Sequence, residues 1–108
     1  MNINQVSFSG RLGSDPDIKY TESGKVFCKF SVAVRRRDGS DAPDWFTCKA
    51  WGKTAEIAAE YAAKGDTVEV EGNLIFEYWK SGDGETLSQH VVSVQNINFL
   101  ARKLEQAV

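Results

Sequence analysis

Trp45, Lys49 and Trp51 are the residues whose types and spacing most invite chemistry in this 108-residue chain. Between Trp45 and Trp51, the small or apolar Phe46, Cys48 and Ala50 alternate with Trp45, Thr47, Lys49 and Trp51. A period of two puts the first set on the inner face of a strand and the second set on its outer face. Two outward tryptophans with a lysine between them leave flat apolar rings and a cation facing water, which is costly for an idle surface. Such rings can stack on nucleic-acid bases, while neighbouring cations meet the phosphates. The other use for them is packing, against a second subunit or against the chain's own helix. Phe27, Lys29 and Arg35 repeat the pattern on the preceding strand, and Trp79 ends the outer face of a later one.

Other chemistries fare worse. A nucleophile–base pair would have to join His90 to Cys28, Cys48 or a serine. Both cysteines fall on inward positions, where a thiol is packing, and His90 lies in a strand beside Val91 and Val92. Two cysteines and one histidine fall short of a closed zinc site or a disulfide scaffold. Gly52-Lys53-Thr54 imitates the end of a phosphate-binding P-loop, but Thr47 stands where that motif needs its first glycine. Glu69, Glu71 and Glu77 alternate as a solvated strand face does, not as metal ligands do. No catalytic residue, metal ligand or cofactor is expected, and the chain reads as a binding protein and not an enzyme.

The formal net charge of −2 hides a strong asymmetry. Residues 19–37 carry six bases and one acid, whereas residues 54–78 carry one base and six acids. The basic stretch, ending in Arg35, Arg36 and Arg37, is where a polyanion would dock.

The elements that must hold these groups are mostly strands. Val6, Phe8, Gly10 and Leu12 alternate in a first strand that Asp15-Pro16 ends; extension resumes at Ile18, and Glu22-Ser23-Gly24 turns the chain. Val26 to Val34 and Trp45 to Trp51 give two further strands around a polar loop. After Gly52 the period changes to that of a helix. Thr54 is its expected N-cap, Ile57, Ala58, Tyr61 and Ala62 its apolar spacing, and Lys64-Gly65 its stop. Val68, Val70, Gly72, Leu74, Phe76 and Tyr78 share one face of the next strand. Ser81-Gly82-Asp83-Gly84 makes a hairpin, and the last strand slips register between Val94 and Ile97, predicting a bulge. This order matches an all-β, five-stranded OB-fold barrel with one short helix between its third and fourth strands. The expected domain spans residues 1–103, with a short extension at 104–108.

With these residues in view, the chain resembles the bacterial single-stranded DNA-binding proteins over nearly its whole length. The resemblance rests on Val6-x-Phe8-x-Gly10-Arg11-Leu12-x-x-Asp15-Pro16, on Trp45-Phe46 with Ala50-Trp51-Gly52-Lys53-x-Ala55-Glu56, on Tyr61-x-x-Lys64-Gly65, and on Val68-x-Val70-Glu71-Gly72-x-Leu74 with Trp79. It implies an OB fold that binds single-stranded DNA without sequence preference, with base-stacking aromatics at Trp45, Trp51 and Trp79. Lys53 and Lys64 match positions often basic and near the DNA, and Arg35 to Arg37 open the loop that tracks the strand. The family commonly carries basic residues before its fourth-strand tryptophan, where Ile75, Glu77 and Tyr78 stand here.

The resemblance further implies a homotetramer, with a homodimer as the fallback. Ile3, Gln5 and Ser7 are the expected subunit contact, since the outward side of the first strand is nearly uncharged until Arg11. Replication and repair proteins are the family's usual partners; residues 102–108 do not match the acidic, hydrophobic-tipped tail that recruits them, so such recruitment is not an expectation for these residues. With no secretory start and no long apolar run, the expected location is the cytoplasm, on the nucleoid, or an organelle of bacterial origin, without membrane contact. The runner-up is an OB-fold adaptor or replication-restart accessory whose aromatic face binds protein or RNA.

Overall fold

The computed structural model describes residues 2–101; the expected boundary at 103/104 and the extension 104–108 lie outside the described residues. The elements run β1 (Val6–Leu12), β2 (Asp17–Tyr20), β3 (Val26–Val34), β4 (Asp44–Trp51), α1 (Gly52–Tyr61), β5 (Thr67–Lys80) and β6 (Thr86–Ala101). The extended segment after Pro16 counts as its own strand, so the helix falls between β4 and β5.

One sheet runs β1-β5-β6-β4-β3-β2, and a further pairing of β1 with β3 closes it into a ring. Closure happens at Arg11↔Ala33 and Leu12↔Val32. It depends on Gly10: a Cβ there would stand 2.2 Å from the Ala33 carbonyl oxygen, closer than any side chain allows. The ring's interior is filled by the inward residues of each strand, with Val32, Val68, Val70, Val92, Cys28 and Cys48 among the fully buried side chains. Complete burial of one valine contributes about 1.5–3 kcal/mol, so this small core rests on few residues.

The helix closes one end of the ring. It begins two residues before the expected cap: Trp51 is the N-cap residue, in extended conformation with no side-chain cap, and Thr54 lies within the first turn. Gly52 enters the helix at φ 57°, a left-handed conformation that glycine adopts without strain. Ala55, Ala58 and Ala62 are buried, their small side chains letting the helix sit close on the strands. Tyr61, expected on this apolar face, is instead half exposed, with its ring edge against Phe99.

β5 and β6 continue beyond the ring as a two-stranded arm. The expected bulge is present: Glu71 pairs with Asn96 but Gly72 with Val94, leaving Gln95 unmatched. Here the strands bend, and a Cβ on Gly72 would lie 2.0 Å from the Ser93 carbonyl oxygen. Past this bend, Leu74, Phe76 and Tyr78 keep the face of Val68 and Val70 but lose the core beneath it, so they are exposed. Ser81 closes the arm's turn by donating its N–H to the Glu85 carbonyl at 2.8 Å. No helix among the described residues is long and apolar enough to cross a membrane.

Candidate functional site

Cross-strand partners share a face of a sheet, so the ladder registers show which outward residues stand side by side. Lys19, Phe27 and Trp51 form one row across β2, β3 and β4. Asp17, Lys29 and Lys49 form the next, continued by Ser93 of β6. Farther along, Arg11, Ala33 and Trp45 form another row, which carries the face round the ring onto β1. Trp45 and Trp51 are thus roughly 20 Å apart on one strand, 59 % and 39 % exposed respectively.

The two ends of this face differ. At one end, the Phe27 and Trp51 rings lie 5.2 Å apart between centroids and tilted by 37°. Lys49 Nζ sits 4.7 Å from each of these centroids, a double cation–π contact that holds the ammonium between the rings. At the other end, the Trp45 ring rests where a side chain on Gly13 would stand. A groove of about 370 Å³ opens beside it, between β4 and the arm, with Thr47, Gln89 and His90 on its walls. Gln89 Nε2 donates to Thr47 Oγ1 at 3.1 Å, tying the arm to β4 across that groove.

Trp79 reaches this region from the arm, on the same strand face as Glu77, and is 46 % exposed. Glu77 is the group the sequence misplaces. Charge counting puts it in the acidic stretch, away from the bases. In three dimensions its Oε2 accepts from Lys49 Nζ at 2.8 Å and its Oε1 from Lys29 Nζ at 3.0 Å. These hydrogen bonds, the Lys49 bond first, hold its carboxyl below the ordinary carboxylate range against the opposing effect of burial. The pair of lysines expected as free cations is therefore bridged, and carries a net charge of +1 with its carboxylate.

The remaining cations divide similarly. Arg36 pairs with Asp44 at 3.3 Å and reaches Asp38 at 4.0 Å. Arg35 and Arg37 have no ion pair among the described residues, nor does Arg11. Arg11 and Arg35 line a cleft of about 800 Å³ between β1 and the β3–β4 loop, with Ala33 on its wall and Trp45 next to Ala33 on β4. Arg11 is a cation of this face that the sequence does not reveal; only its register with Ala33 and Trp45 puts it there. Lys53 is exposed in the first turn of α1, adjacent in sequence to the Trp51 end. Lys64 lies beyond the other end of the helix, where its N–H donates to Asp15 Oδ1 at 2.7 Å, close in the chain to the Gly13 that meets Trp45.

The groups weighed for catalysis are not assembled for it. Burial pushes the Cys48 thiol up to about 12, with the neighbouring Cys28 adding to the effect, and burial raises Cys28 as well. His90 lies against the Phe76 ring at 4.0 Å between centroids. Among the described residues, no group of three His, Cys, Asp or Glu side chains could hold a metal ion. Ile3, Gln5 and Ser7 are exposed, but only Ser7 lies within β1; Ile3 and Gln5 precede the strand.

Comparison with known proteins follows the same line. The sequence model of the single-strand binding protein family matches residues 3–100. The chain is 45 % identical over 107 residues to single-stranded DNA-binding protein 1 of Nostoc sp., covering 98 % of this chain and 90 % of that protein. It is 42 % identical over 110 residues to single-stranded DNA-binding protein 1 of Synechocystis sp., covering 99 % and 91 %. It is 36 % identical over 109 residues to the single-stranded DNA-binding protein of Treponema pallidum, covering 95 % of this chain but 61 % of that one.

Proposed function

The chain belongs to the single-strand binding protein family, and from that premise we propose that it binds single-stranded DNA by stacking bases on Trp45, Trp51 and Trp79. The observation that carries this reading is Lys49 held over Phe27 and Trp51, which joins two rings and a cation in one unit. An unpaired base offers a π-face to the rings whatever its identity, so affinity does not depend on sequence. Duplex hides those faces and offers only phosphates. Arg11 and Arg35 neutralise phosphates along the cleft, with Arg37 in the adjoining β3–β4 loop and Lys53 and Lys64 near the two ends of the helix. Binding itself is the function, in protecting exposed strands during replication, recombination and repair at the nucleoid.

Assembly belongs to the same proposal. Among the described residues, β1 has no strand partner on one edge over residues 6–10, and an open edge favours pairing with a second copy. Ser7 lies on that strand, with Ile3 and Gln5 leading into it. The uncovered Leu74, Phe76 and Tyr78 offer a second apolar contact, and two distinct contacts suit a tetramer.

The test is affinity for an oligonucleotide and for its duplex over a range of salt concentrations. Tight binding to the single strand, weak binding to the duplex and a linear fall of log K with log salt support the reading. Equal affinity for both forms, or none for either, overturns it.

A further inference from the structure

We infer that Glu77 is a resident competitor for phosphate, occupying Lys49, which lies between the aromatic rings, and its cross-strand neighbour Lys29 until DNA displaces it. The inference rests on the reading of this face as a DNA site. Its two carboxylate oxygens accept one bond from each lysine, at 3.0 Å from Lys29 and 2.8 Å from Lys49. A phosphodiester presents the same pair of anionic oxygens. The position is suited to exchange: Glu77 comes from the arm, whereas both lysines come from the ring, so the contact joins two separately carried elements. Lys49 is largely buried and fixed by the rings, so it stays in place when the carboxylate leaves.

The electrostatic consequence is specific. With Glu77 on the lysines, a strand that binds here meets one positive charge fewer and neutralises one phosphate fewer than the two lysines would alone. Fewer counterions are released, and affinity falls less steeply with salt. A purely architectural glutamate predicts the reverse: without it, the arm loosens, the lysines lose their order and binding weakens.

The experiment compares the intact chain with Glu77→Gln by titration with an oligo-dT strand at several salt concentrations. Glutamine keeps the side chain's length and removes its charge. The expected result is affinity about 1.5- to 5-fold tighter at low salt, the scale of one partly exposed ion pair. The slope of log K against log salt should steepen by about 0.7. In a Lys29→Gln, Lys49→Gln background, Glu77→Gln should bring no gain, which excludes a general effect of net charge. Unchanged or weaker binding by the single variant, measured at a temperature where it is fully folded, overturns the inference, as does an equal gain without the lysines. If the unsubstituted chain does not bind oligo-dT, the DNA reading falls first, a result distinct from either.

Discussion

The ammonium of Lys49 lies 2.8 Å from the Glu77 carboxylate, a bond from the middle of β4 to an arm that the ring's core does not reach. It is the shortest ion pair among the described residues, and it sits between aromatic rings rather than on an open surface. Stability, binding and salt response therefore meet at one contact.

The pH dependence of stability follows from that contact. Glu77 is held below its ordinary value of 4.5, chiefly by the Lys49 hydrogen bond. A carboxylate depressed on folding stabilises the fold above its unfolded pKa, and the contribution disappears as pH falls through the folded value. Denaturant unfolding should show this contribution intact at pH 7 and lost as pH falls below 4.5 through the lower folded value. Glu77→Gln should lack that part of the loss, about 0.2–1 kcal/mol for a partly exposed network.

Gly10 and Gly72 should not tolerate alanine. The added methyl would collide with backbone carbonyls of Ala33 and Ser93, which flexible side chains cannot relieve by moving aside. Each substitution should cost about 1–3 kcal/mol, the range for overpacking, and should lower the melting temperature. Gly24, where a Cβ would meet nothing within 4 Å but φ is 88°, is the control for strain without collision.

The arginines should separate by their partners. Arg11→Gln and Arg35→Gln should each weaken binding to every sequence alike and flatten the salt slope by about 0.7. Arg36→Gln should do less, because Asp44 and Asp38 already engage that side chain. Titrations of the three variants with one oligonucleotide over a salt series rank them.

Much of the fold is legible in the sequence, for a physical reason. Period two along β1, β3 and β4 is imposed by the pleat, so it places Cys28, Phe30, Cys48 and Ala50 inside and Trp45, Lys49 and Trp51 outside. The bulge at Gln95 shows as a slip in that same period. What stays hidden depends on pairing between distant segments. Nothing local to β5 says that the core stops at Gly72, so Leu74, Phe76 and Tyr78 share a strand face with the buried Val68 and Val70 although they are exposed. Arg11 joins the site only through its register with Ala33, and Glu77 only because the arm folds towards β3 and β4. The start of the helix is hidden because Gly52 begins the turn itself, without a side-chain cap.

Replacing Trp45, Trp51 or Trp79 singly by alanine should cost about 1–3 kcal/mol of binding free energy, the scale of one base–aromatic stack. Trp51→Ala should cost the most of the three, since it also removes a ring from the Lys49 cation–π pair. Melting temperature and assembly should be measured beside affinity, and the variants should stay folded with only a modest drop in melting temperature, largest at Trp51, whose ring packs on Phe27.

The emission of these tryptophans during titration with oligo-dT tests the central claim most directly. Stacked bases should quench it strongly, with saturation at lower DNA concentration as salt is reduced, while the matching duplex leaves it nearly unchanged. Saturable DNA binding with undiminished tryptophan emission would contradict the account, because the strand would then be held by phosphates alone and the rings would serve another purpose.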